Sequence, residues 1–122
     1  MNLRSAVLLG GCLLSVESFA SPCKLLAQFQ FQMDVASSNI EHADIPKTRE
    51  GFLHHRKVAY CDDEHCEVIE VPGERKVLWP DHPLVDDQGF VILPKINPVT
   101  EISMLVGLQQ VYESAQAECE KK

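Results

Sequence analysis

The sequence predicts an α+β fold: a helix toward each end of the chain, the two paired antiparallel as a coiled-coil-like stem, with a small antiparallel β-sheet inserted between them. Three observations predict it. Between Cys23 and Ile40, apolar residues recur as Cys23, Leu26, Phe29, Met33, Ala36 and Ile40. Near the C-terminus they recur as Leu105, Leu108, Tyr112, Ala115 and Cys119. Both runs step by threes and fours, the spacing of a helix face that packs on another helix. The middle of the chain loses that period and reads instead as short strand-like runs separated by turn residues. Antiparallel pairing sets Ile40 opposite Ile102 and Cys23 opposite Cys119.

The first segment is set aside before folding is considered. Met1 to Arg4 is a short positive leader, Ser5 to Val16 is an apolar run too short to span a bilayer, and Ser18-Phe19-Ala20 offers small residues at a cleavage site. Residues 1–20 therefore read as a signal peptide. Leu9-Gly10-Gly11-Cys12 is a competing lipobox, but few apolar residues separate Arg4 from that cysteine. The rest, 21–122, is one domain by length. Its first helical segment, 21–46, opens on Ser21-Pro22, with serine available as a cap and proline tolerated in the first turn. The helix runs to about Ala43, and Asp44-Ile45-Pro46 ends it, because the residue before proline is pushed out of helical geometry.

Residues 47–97 form the β region and its loops. Strands are expected at His54–Cys61, Cys66–Val71, Arg75–Trp79 and Phe90–Leu93, with turns at Asp62-Asp63-Glu64-His65 and Pro72-Gly73 and a structured loop from Pro80 to Gly89. His54 and His55, as strand neighbours, point to opposite faces. Asn97-Pro98 repeats the capping chemistry and opens the last helix, 98–122. Glu101 in its first turn and Lys121 and Lys122 at its end suit the helix dipole.

Export changes the meaning of the cysteines. Cleavage discards Cys12 and leaves Cys23, Cys61, Cys66 and Cys119, an even set where disulfides persist. The helix register selects Cys23 with Cys119, and Cys61 with Cys66 then closes a short turn. The formal net charge is -7, and without a basic patch this argues against nucleic acid and anionic lipid as partners. Cys61, His65 and Cys66 are too few good donors for a closed zinc site, so a disulfide is the simpler account and no metal is expected. No phosphate-binding glycine loop or nucleophile elbow is present in the sequence. Asp62-Asp63 and Asp86-Asp87 read as solvated turns. The expectation is a non-enzyme without cofactor or small-molecule substrate. Beyond the seam, Leu25, Val35, Val99, Val106 and Val111 form a second apolar set that a helix pair cannot cover, which favours an assembling subunit.

The segment Met33 to Asp44, containing Asn39, Ile40 and Ala43, resembles the N-terminal signature of bacterial flagellar rod and hook proteins. Asp81-His82-Pro83, Asp86 to Val91 with Gly89, and Pro94 to Glu101 with Asn97, Pro98 and Glu101 resemble the C-terminal region of proximal basal-body rod subunits, and Val111 to Ala115 continues the likeness. The resemblance implies a structural subunit of the flagellar basal-body rod that supports motility. Its partners would be other rod subunits and further copies of itself, and it would assemble axially through Leu26, Phe29, Met33, Ile40, Ile102, Leu105, Leu108 and Tyr112. The implied location is the periplasmic basal body, after signal-peptide cleavage. The chain departs from that pattern in its signal peptide, its cysteines, a short middle region and His42 at a common asparagine position. These departures suit a second expectation, a Sec-exported periplasmic accessory or binding protein that reuses the rod fold without polymerising.

Overall fold

Residues 21–121 are described in a computed structural model of the chain; the signal-peptide reading, Cys12 and Lys122 lie outside the described residues. The elements run α1 (Pro22–His42), β1 (Arg56–Cys61), β2 (Cys66–Val71), β3 (Glu74–Leu78), β4 (Phe90–Pro94) and α2 (Pro98–Glu120). No helix among the described residues is long and apolar enough to cross a membrane.

The two helices begin differently. Asn97 caps α2 as the sequence suggests, its side chain accepting from the Val99 and Thr100 amides at 3.0 and 3.3 Å. Ser21 makes no such bond at α1, so its capping role is corrected: proline in the first turn removes one free N–H, and the helix starts without a side-chain acceptor. The C-terminal stop follows the proline rule, with Ala43 and Ile45 amides turning back onto Ile40 and His42 carbonyls.

The β region forms two separate two-stranded sheets, β1–β2 and β3–β4, rather than one. The first hairpin packs on α1, mainly through β1. The first is antiparallel with Cys61 directly opposite Cys66, and it extends along α1, where the Gln28 side chain donates to the Asp62 carbonyl. The second pairs Arg75 with Leu93 and Val77 with Val91 on its inner face. There Val91, Leu93, Pro94 and Ile96 bury with Ala43 at the end of α1. The Arg75 guanidinium fastens this sheet to the helix end, donating to the Ala43 and Pro94 carbonyls at 3.2 and 3.1 Å. His54 and His55 precede β1 in irregular chain, which corrects their placement on a strand.

Helices α1 and α2 run in opposite directions. Cys23, at the start of α1, is bonded to Cys119 at the end of α2, and Asn39 near the end of α1 meets Glu101 at the start of α2. Leu105, Leu108 and Tyr112 are half-buried on α2, as are Leu26, Phe29, Met33 and Ile40 on α1. Ile102 is 48% exposed, so it does not face Ile40 across the seam; Glu101 takes the inward position one residue earlier. Val35, assigned above to an uncovered stripe, is buried. It lines a partly open pocket with Ala36 and Asn39 of α1, Val58 and Ala59 of β1, and Met104 and Leu108 of α2. The hairpin lying along α1 is what covers it.

The disulfides are Cys23–Cys119, 96 residues apart, and Cys61–Cys66, five apart. Closing a loop of about 100 residues stabilises by roughly 4.7 kcal/mol in the chain-entropy account, and a short loop by less. Replacing Cys23 and Cys119 by serine is therefore expected to lower the thermal midpoint far more than replacing Cys61 and Cys66. Calorimetry of the two double variants, with non-reducing peptide mapping of the parent, checks this; equal losses would contradict it.

Candidate functional site: a buried polar node between the helices

The two resemblance segments meet at one buried polar node. Asn39, on the inner face of α1, is 3% exposed and Glu101, in the first turn of α2, is 1% exposed. The Asn39 amide nitrogen donates to Glu101 Oε1 at 2.8 Å across a separation of 62 residues. It also donates to the Lys57 carbonyl at 2.8 Å, while its Oδ1 accepts from the Lys57 amide at 2.8 Å. The side-chain amide thus pairs with the free edge of β1 as a neighbouring strand would, satisfying backbone groups that otherwise lie unpaired in the interior. Glu101 Oε2 accepts from Arg56 Nε at 2.9 Å, so each carboxylate oxygen has its own donor. A buried carboxylate is tolerated when paired and hydrogen-bonded in this way.

Asn97, Pro98, Ala43 and Ile40 lie around this node. Asn97 caps the helix that carries Glu101, and Pro98 opens it. Ala43 is fully buried beneath Arg75, and Ile40 is half-buried on the same helix. Gly89 is not brought to the node. It closes a turn before β4, with φ of +90°, its amide donating to the Asp86 carbonyl at 3.1 Å and its carbonyl accepting from Trp79. A side chain there would be strained by the positive φ. Asp86 holds the same turn, and the Phe90 and Gln88 amides bonded to its carboxylate lower its pKa below the usual value.

Arg56 and Arg75 were not singled out from the sequence. Nothing local marks either one: each gains its partner, Glu101 or the Ala43 carbonyl, only through tertiary packing. The apolar run Val91 to Pro94 was a readable sign of the second core. The disulfide across the hairpin occupies both sulfurs of the Cys61, His65 and Cys66 set. Among the described residues no group of three metal-binding side chains converges.

His54 stacks on His42 with ring centroids 3.9 Å apart and meets Phe52 edge-on at 4.9 Å. Desolvation, then the facing His42 and Lys57, lower its pKa below the ordinary 6.5.

No family model matches the chain. The flagellar basal-body rod protein FlgC of Aquifex aeolicus (strain VF5) is 38% identical to it over 48 residues, 39% of this chain and 36% of that protein. The aligned segment spans about a third of the length of that relative.

Two outcomes are expected from this geometry. Both contacts to Glu101 come from donors, so Glu101→Gln keeps an acceptor on only one side and is expected to destabilise nearly as much as Glu101→Ala, by about 3 kcal/mol. The exposed Glu113→Gln should stay within about 0.5 kcal/mol. Urea unfolding of the three variants decides it. For His54, the folded state disfavours the proton that the unfolded state binds. Stability is therefore full above the ordinary histidine pKa and falls as pH drops through it toward the lowered value. His54→Phe keeps the stacking partner without the charge, and its unfolding free energy should be less dependent on pH between about 5 and 7 than that of the parent.

Proposed function

We propose that this chain is a non-enzymatic structural subunit of the bacterial flagellar basal-body rod type, exported through a cleaved signal peptide and assembling axially in the periplasm. The observation that carries this reading is the 38% identity over 48 residues with a basal-body rod protein. The arrangement of the chain supports it. Helices α1 and α2 lie antiparallel, with Leu26, Phe29, Met33, Leu105, Leu108 and Tyr112 half-buried. The opposite face of α2 keeps Val99 at 71%, Ile102 at 48% and Val106 at 48% exposure. These three recur at helical spacing, so they form one stripe, and such a stripe gains by being covered in an assembly. Neighbouring rod subunits and further copies of the chain are the partners, and contacts repeated without closing give a helical tube.

Seam and stripe make different demands. Leu108→Asp buries a charge at the helix pair and should prevent folding of the stem, whereas Val106→Asp should leave the monomer folded and abolish its incorporation into sedimentable basal bodies. Circular dichroism, basal-body sedimentation and motility are the measurements. Intact mass of the incorporated protein should begin at Ser21. Normal incorporation and motility of Val106→Asp, or a parent protein found free and monomeric in the periplasm, would overturn the reading in favour of a non-polymerising accessory protein.

A further inference from the structure

Charge is unevenly placed along the β1–β2 hairpin. At its base, a cleft of about 510 Å³ is lined by Arg56, Arg75, Lys95, Thr100 and the buried Glu101. Three cations against one carboxylate make this a local excess of positive charge in a chain of formal net charge -7. Two of the cations are held in place by the fold: Arg56 through Nε on Glu101, and Arg75 on the Pro94 and Ala43 carbonyls. Arg75 also touches Asp44 at 3.3 Å, but that carboxylate is 80% exposed and such a surface pair is weak. Lys95 makes no ion pair among the described residues.

At the other end of the hairpin, the loop Asp62-Asp63-Glu64-His65 is exposed throughout. Asp62 is spent internally: its Oδ1 accepts from the Glu64 and His65 amides, each at 2.9 Å, and lies 3.3 Å from His65 Nδ1. The Cys61–Cys66 bridge and the Gln28 bond to the Asp62 carbonyl pin the loop to α1. Asp63 and Glu64 are thereby presented on a preformed turn, with Lys24 the one cation lining the shallow groove beside them. A preformed loop loses little conformational freedom on binding.

We propose that Asp63 and Glu64 at the hairpin tip of one copy dock in the cleft between Arg56, Arg75 and Lys95 of a second copy. A six-residue strand separates the two features, which at about 3.3 Å per residue puts them roughly 20 Å apart. The tip therefore cannot reach its own cleft. A contact between two different surfaces of the same chain is heterologous and propagates head to tail. The proposal rests on the assembling-subunit reading and names one of its contacts.

The test uses an equal mixture of unlabelled and ¹⁵N-labelled mature protein, treated with a zero-length carbodiimide cross-linker and analysed by mass spectrometry. The expected product is an isotopically mixed peptide joining Lys95 to Asp63 or Glu64, diminished when salt is raised to about 1 M. Sedimentation supplies the second readout. Asp63→Lys/Glu64→Lys and Lys95→Glu should each weaken self-association by roughly tenfold alone, and mixing the two variants should restore part of it, because the lysine tip then meets the glutamate cleft. Assemblies that form without a Lys95 link to the tip would overturn the docking while leaving the assembling-subunit reading intact. A mature chain that stays monomeric at its highest soluble concentration would overturn both.

Discussion

The structure depends on one constraint: a buried carboxylate and a buried amide must satisfy each other. Asn39 and Glu101 lie in opposite halves of the chain, and each is left with an unpaired polar group unless α1, α2 and β1 come together. Apolar packing alone permits the two helices to slide, since half-buried leucines and alanines accept several registers. The Asn39–Glu101 bond permits few, and the Arg56 contact then places the first hairpin against the same node. A buried polar group that specifies register at some cost in stability is a familiar device in helix pairs. Here it selects the register in which the end of α1 meets the start of α2.

The core is thin. Among the described residues, the buried apolar set is Val35, Ala36, Ala43, Val91, Leu93, Ile96 and Ala115, mostly small side chains divided between the stem and the second sheet. Small domains with so little apolar burial are commonly supplemented by covalent links. The Cys23–Cys119 bridge closes the stem at the end away from the polar node, so the helix pair is fastened at both ends by different chemistry. The Cys61–Cys66 bridge keeps a hairpin whose second strand is largely exposed from fraying. On this frame, the exposed valine and isoleucine of α2 are surface that the chain does not need for its own folding, and an assembly could use it.

Helices, strands and the disulfide pairing were legible in the sequence because their signals are local or arise from one register. Threes-and-fours spacing reports a helix face, Asn97-Pro98 reports a helix start, and alternation between turn residues reports strands. The long bridge followed from pairing the two apolar runs. The same local reasoning misplaced Ser21, because a residue suited to capping does so only when its side chain can fold back. It also misplaced Ile102, because a charged Glu101 was not expected to take the inward position.

What the sequence by itself determined was the order and nature of the elements, since hydrophobic period and proline act over a few residues and need no partner. Tertiary structure alone decided that the β region divides into two hairpins, that the first lies along α1 and buries Val35, and that Arg56 and Arg75 become structural. The physical reason is that hydrogen-bond partners such as Glu101 for Arg56, or the Ala43 carbonyl for Arg75, are more than thirty residues away in the chain. No local preference carries that information; it exists only once the chain has closed on itself.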